Sequence, residues 1–124
     1  MEENQAKDRR KFIRFPVQLI ARYSEENEEE WHECSAVNIS REGMGISVYT
    51  FREIPIGTVM RLEIIIPVKS NPIFLMGDLM WLREIKGNAK FNFLAGVKLT
   101  TIDSDDKWTL LDYAYEKWNW KKVW

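Results

Sequence analysis

The 124-residue chain has a single cysteine, Cys34, and a single histidine, His32. One thiol excludes an intramolecular disulfide, and with only one imidazole beside it a structural zinc site of the usual thiolate kind is excluded as well. No apolar run approaches the roughly 18 residues of a membrane-crossing helix. The charged N-terminus has no signal-peptide hydrophobic region behind it, so the sequence reads as cytoplasmic. Formal net charge is −1, and the basic surplus of a protein that grips long nucleic acid is therefore missing. Internal repeats and low-complexity tracts are absent too.

What remains is the composition of one globular domain. Hydrophobic residues make up 45% of the chain and aromatic residues 13%, including six tryptophans, so a small fold has unusually large side chains to bury. Charge is segregated along the sequence. Residues 7 to 14 hold five basic side chains against one acidic, whereas residues 25 to 33 hold six glutamates and no lysine or arginine. Any anion site must be local.

From Pro16 onward, apolar residues recur with a period of two, the mark of half-buried antiparallel strands. Val17, Leu19, Ala21 and Tyr23 alternate with Gln18 and Arg22, and Glu25 to Glu30 reads as a solvated hairpin loop. A second strand is predicted from Trp31 to Ile39, then a turn at Ser40 to Gly43 and a third strand from Met44 to Tyr49. Met60, Leu62, Ile64 and Ile66 alternate with Arg61, Glu63 and Ile65, and Pro67 closes that strand. Asn71-Pro72 leads into Ile73 to Ile85, Lys86-Gly87-Asn88 is a predicted hairpin turn, and Phe91, Phe93, Ala95, Val97 and Leu99 share one face of the last strand. At Asp103 the period changes. Asp103 or Ser104 can cap a helix over about 104–120, in which Trp108, Leu111, Tyr115 and Trp118 fall at helical spacing and place Trp108 and Trp118 in the core. The expectation is an all-β domain over 15–124: a small six-stranded antiparallel β-barrel with a C-terminal α-helix docked across it, preceded by a flexible basic arm over 1–14.

Two segments carry chemistry. In the arm, Arg10 and Arg14 lie four apart, and a guanidinium is a planar fork that meets a phosphate or the O6/N7 edge of guanine bidentately and can also stack on a base. In the second segment, Asn38 and Ser40 are two apart on an extended strand. They should share a face while Val37 and Ile39 turn inward, and both can accept hydrogen bonds from a base edge. Gly43 sits where the chain turns, and its missing Cβ would permit positive φ and a close approach of backbone to ligand. Arg9 and Arg41 can add contacts to a dianion.

The Arg10-to-Arg14 spacing and the Asn38, Ser40, Gly43 pattern resemble the two signature motifs of PilZ domains, bacterial receptors for cyclic di-GMP. Gly77 followed by Trp81, and Gly96-Val97-Lys98-Leu99, resemble that family's later strands. The resemblance implies a six-stranded barrel with a C-terminal helix, arm arginines on guanine and phosphate, and a base held by the second motif. On that basis Arg9, Arg10, Arg14, Asn38, Ser40, Arg41 and Gly43 form the ligand site, with cyclic di-GMP as ligand and no cofactor. The family's commonest residue at the Asn38 position is aspartate. An amide keeps one acceptor and loses the charge, which changes a charge-assisted bond into an ordinary one, a difference of about 1 kcal/mol.

Other candidates have plainer readings. His32 and Cys34 share a strand face, yet no second histidine or cysteine completes a metal site or a nucleophile and its base. Asp103, Asp105 and Asp106 precede a helical pattern, where capping and dipole compensation use carboxylates. Trp120 and Trp124, with Lys117, Lys121 and Lys122, suggest an apolar patch with a basic rim, a protein-interface feature. No general base, nucleophile and metal occur together, so an enzyme is not expected. The expected function is a cyclic di-GMP receptor that changes the conformation of its arm and signals to a protein partner, without binding nucleic-acid polymer or inserting in a membrane. The alternative is an adaptor of the same fold that does not bind the nucleotide.

Overall fold

Leu19, Ala21 and Tyr23 are buried along the first strand while Pro16, Gln18, Ile20 and Arg22 are exposed, and this alternation is what a strand with one face on a core requires. The computed structural model describes residues 14–50, 53–67, 69–85 and 91–123, and the side chains of all of these except 91 and 119–123. Six strands follow in chain order: β1 (Phe15–Glu25), β2 (His32–Ile39), β3 (Gly43–Thr50), β4 (Val59–Ile65), β5 (Ile73–Ile85) and β6 (Phe91–Ile102). Helix α1 (Ser104–Val123) comes after them. The strands close into a barrel in the order β1-β2-β3-β6-β5-β4, with every pairing antiparallel. Closure satisfies the backbone groups that an open sheet would leave along its edges.

The barrel interior is filled from every strand. Ala36, Ile46, Val48, Met60, Leu62, Ile64, Ile73 and Leu79 are fully buried. The alternation read from the sequence is therefore the barrel's inward face. Among the outward positions Glu63 departs from it. Glu63 is buried although it lies opposite the core, because Arg22, its register partner on β1, donates to its Oε2 at 2.7 Å and covers it. Gly57, at φ 91°, is the only residue with positive φ among those described, and glycine tolerates that conformation without steric penalty. The glutamate-rich hairpin loop is tied to the barrel wall by Arg61, which donates to Ser24 Oγ at 2.7 Å and to the Glu28 carbonyl. The guanidinium groups of Arg22 and Arg61 both approach the Trp31 ring, at 5.4 and 5.2 Å from its centre. The expected turn at Lys86-Gly87-Asn88 lies outside the described residues.

Helix α1 begins as its sequence dictates. Asp103 Oδ2 accepts from the amides of Asp105 and Asp106 at 3.1 and 3.2 Å, the geometry of an N-cap, and the two acidic residues of the first turn sit at the positive end of the helix dipole. Its buried seam is Leu110, Leu111 and Ala114, with Trp118 half-buried against Phe15 of β1. The expectation that Trp108 belongs to the core is corrected here, since Trp108 is 55% exposed. The reason is angular. Trp108 precedes Leu110 by two residues, about 200° around a helix, so the seam that docks on β1 and β2 turns Trp108 away from the barrel.

Leu62 lies in the centre of the barrel with no exposure. Leu62→Ala is expected to lower stability by about 2–5 kcal/mol, measured as a shift in the urea unfolding midpoint at unchanged slope.

Candidate functional site

The β1–β2 register sets the site. Phe15 pairs with Ile39 and Pro16 with Asn38, so Arg14, the residue before β1, stands beside the turn that follows Ile39. The last residue of the arm and the second motif thus meet at one end of the barrel. Arg14 is half-buried there and already engaged with the protein. Arg9 and Arg10 lie outside the described residues.

Asn38 sits at an irregularity in the β2–β3 ladder, between the Ala36–Ile46 and Asn38–Gly45 pairs. Its Oδ1 accepts from the Gly45 amide at 3.0 Å. Because that N–H needs an acceptor, the bond fixes which way the side-chain amide points and leaves Nδ2 as the group available to another molecule. Gly45 makes this possible. A Cβ there would lie 2.5 Å from Asn38 Nδ2 and 2.8 Å from Oδ1, so the side chain lies flat on a bare backbone. The single acceptor that the amide retains relative to aspartate is thus already used within the protein.

Ser40 is buried, and its hydroxyl organises the turn. Its Oγ accepts from the amides of Glu42 and Gly43 at 3.3 and 3.2 Å and donates to the Gly43 carbonyl at 3.3 Å, while its own amide donates to that same carbonyl at 2.9 Å. A serine hydroxyl bonding backbone two and three residues ahead is a recognised turn device. The expected positive φ at Gly43 is corrected, because Gly43 does not have it. Its missing Cβ serves the β3–β6 pairing instead: a Cβ would lie 2.7 Å from the Val97 carbonyl oxygen. The Glu42 carbonyl accepts from Leu99 at 2.9 Å and holds the turn against β6.

The turn held in this way projects Arg41, which is exposed and places its guanidinium 5.9 Å from the ring centre of Trp108 on α1. Further along the same helix Tyr115 and Trp118 meet the ring of Phe15 at centroid distances of 5.8 and 5.7 Å. The helix therefore touches both signature segments, through Arg41 at one and through the residue following Arg14 at the other. Sequence reasoning missed Trp108 as a neighbour of the motif, since nothing in its helical spacing refers to a turn far away in the chain.

The remaining candidates keep their structural roles. Burial pushes the Cys34 thiol up from an ordinary value of 9.0 to about 12. Its neighbour His32 stacks on Tyr23 at 5.1 Å between ring centres and approaches Glu28 at 3.9 Å. Among the described residues no three histidine, cysteine or acidic side chains are grouped to hold a metal ion. None of the described helices is long and apolar enough to cross a membrane. The proposed patch at Trp120, Trp124, Lys121 and Lys122 lies outside the described side chains. A groove of about 370 Å³ on the barrel exterior, lined by Trp31, Arg61, Phe74 and Met76 among others, shares no residue with either motif.

A closed six-stranded barrel with an arginine at the foot of its first strand, facing a serine-braced turn between its second and third, defines a particular class of small domain. The PilZ domain profile matches residues 8–116, and the chain belongs to that family. Three solved structures show the same fold. The Bacillus subtilis inhibitor of motility MotI/DgrA superposes at a TM-score of 0.72 and 20% identity, covering 89% of this chain and 51% of that one. The PilZ domain of Escherichia coli YcgR, solved with cyclic di-GMP, gives 0.68 and 12% identity, covering 88% and 91%. MrkH, described as a cyclic di-GMP-dependent transcription regulatory factor, gives 0.65 and 16% identity, covering 86% and 52%. The chain thus spans about half the length of MotI/DgrA and of MrkH. No curated protein sequence matches it.

Two outcomes follow from the geometry. Gly45→Ala forces its Cβ into the Asn38 amide and is expected to destabilise the domain by about 1–3 kcal/mol in urea unfolding. Cys34, protonated at pH 8, is expected to react with a thiol reagent more than about a hundredfold slower in the native protein than in the unfolded chain. Equal rates would show an accessible, ionised thiol.

Proposed function

We propose that the chain is a cytoplasmic, non-enzymatic receptor for cyclic di-GMP whose basic arm, residues 1–14, closes over the ligand and changes the surface offered to a protein partner. The observation that carries this reading is the β1–β2 register, which brings Arg14 beside the Asn38-to-Gly43 turn. Two segments about 25 residues apart, each suited to part of an anionic nucleotide, meet at one end of one barrel. On this reading Arg10 and Arg14 grip phosphate and guanine, with Arg9 and Arg41 adding charge. Asn38 offers its Nδ2 to the base, and Ser40 and Gly43 hold the turn that aims Arg41.

Cyclic di-GMP is a dianion, and the binding energy of bidentate arginine contacts is offset by the cost of closing the arm over it. Signalling then follows from a change of populations, since only a ligand that favours the closed arm can shift it. The solved YcgR domain with cyclic di-GMP supports the choice of ligand by its common fold, and the family membership supports the choice of site.

Titration calorimetry with cyclic di-GMP tests the proposal, with GMP and cyclic di-AMP as controls and the Arg10→Ala/Arg14→Ala double variant as a matched negative. The expected result is saturable, selective binding that the double variant loses. Silence up to high micromolar ligand would assign the chain to adaptors of the same fold that have no nucleotide.

A further inference from the structure

Trp108 is a large aromatic side chain, 55% exposed, on a helix whose core contacts are made by other residues. One of its faces is occupied by the guanidinium of Arg41, the residue that the serine-braced turn projects. An exposed cation–π contact is weak compared with a bidentate guanidinium–phosphate pair. A phosphate reaching the turn competes for Arg41 with the ring and with its other contact in the protein, and the departure of Arg41 would uncover an indole face beside the site. Aromatic faces stack purine bases without regard to their hydrogen-bond pattern.

We infer that Trp108 is a base-stacking residue of the nucleotide site, with Arg41 exchanging the indole for a phosphate as a guanine takes its place. The inference rests on the receptor reading above and adds to it a contact from outside both signature segments. The division of labour agrees with local charge. Asp105 and Asp112, one turn before and one turn after Trp108 on the helix, disfavour a phosphate at the ring itself, so Trp108 suits the uncharged base and the arginines suit the phosphates. The arrangement also ties occupancy to the helix, because the ring that receives the base belongs to the element that packs on Phe15 through Tyr115 and Trp118.

The test compares wild type, Trp108→Ala and Trp108→Phe in calorimetry with cyclic di-GMP, with ligand-induced change in tryptophan fluorescence as a second reading. Because Trp108 is half out of the fold, truncation leaves the core intact, and matching thermal unfolding curves check this. The expected result is an affinity about tenfold or more weaker in Trp108→Ala, largely restored in Trp108→Phe. The fluorescence change seen with wild type should also be reduced in both variants. Affinity in Trp108→Ala equal to or tighter than wild type would overturn the inference, the tighter case meaning that the ring only sequesters Arg41. Absence of saturable binding by the wild type itself would remove the receptor reading, and this inference with it.

Discussion

The pairing of β1 with two partners at once is the constraint on which the rest depends. From Ile20 to Glu25, β1 bonds β4, and over most of the same stretch it bonds β2 as well. This double pairing closes the barrel and leaves no long edge exposed. Below Ile20 the pairing becomes one-sided: Phe15 and Pro16 have partners only on β2. The chain therefore enters the barrel alongside the end of β2, and Arg14, which precedes Phe15, stands at the β2–β3 turn. The freed side of Phe15 is covered by α1 through an aromatic cluster. Barrel closure, entry point and helix docking are consequences of one register.

The same register explains what was legible in the residues. The inward sets on β1, β4 and β6 could be read because a strand with one face in a core repeats every two residues, and Ile73–Ile85 was legible because Asn71-Pro72 breaks the pattern before it. The cap at Asp103 was legible because a capping interaction is local. What could not be read were pairings between distant strands. Glu63 looks like an exposed outward residue until β1 places Arg22 across from it. Gly43 looks like a turn glycine until β6 brings the Val97 carbonyl against it. Trp108 failed for a different reason. Aromatic residues occur all around α1, so spacing alone fits more than one face, and only the docking of Leu110, Leu111 and Ala114 settles which face is inward.

The second motif is braced from within. Ser40 and Asn38 spend hydrogen-bonding capacity on Gly43, Glu42 and Gly45. Bonds of this kind fix side-chain orientation before any ligand arrives. A group held in place loses little entropy on binding, and preorganisation of this sort strengthens a contact without adding a new one. The difference between asparagine and aspartate at position 38 then takes a more specific form than loss of charge. With Oδ1 engaged by Gly45, the remaining polar atom of residue 38 is a donor amide in place of the second acceptor oxygen that an aspartate would have.

That exchange bears on how the site would divide its work. A donor as the remaining polar atom of residue 38 complements acceptor atoms of a purine and does little for the purine's own donors. Specificity then moves to groups that read shape or charge. Arginine forks are suited to phosphate pairs and to the O6/N7 edge. An aromatic face contributes stacking that is indifferent to the base's hydrogen-bond pattern. On the proposed reading, a site built mainly from guanidinium groups and an indole would hold a cyclic purine dinucleotide by its two phosphates and flat bases. On that reading, discrimination between guanine and adenine would rest on the arginine forks and on Asn38 Nδ2, whose direction the bond to Gly45 fixes. The fold alone does not decide this, since a barrel of this kind can lose its ligand and keep its architecture. The chemistry lies in which atoms the fold leaves pointing outward.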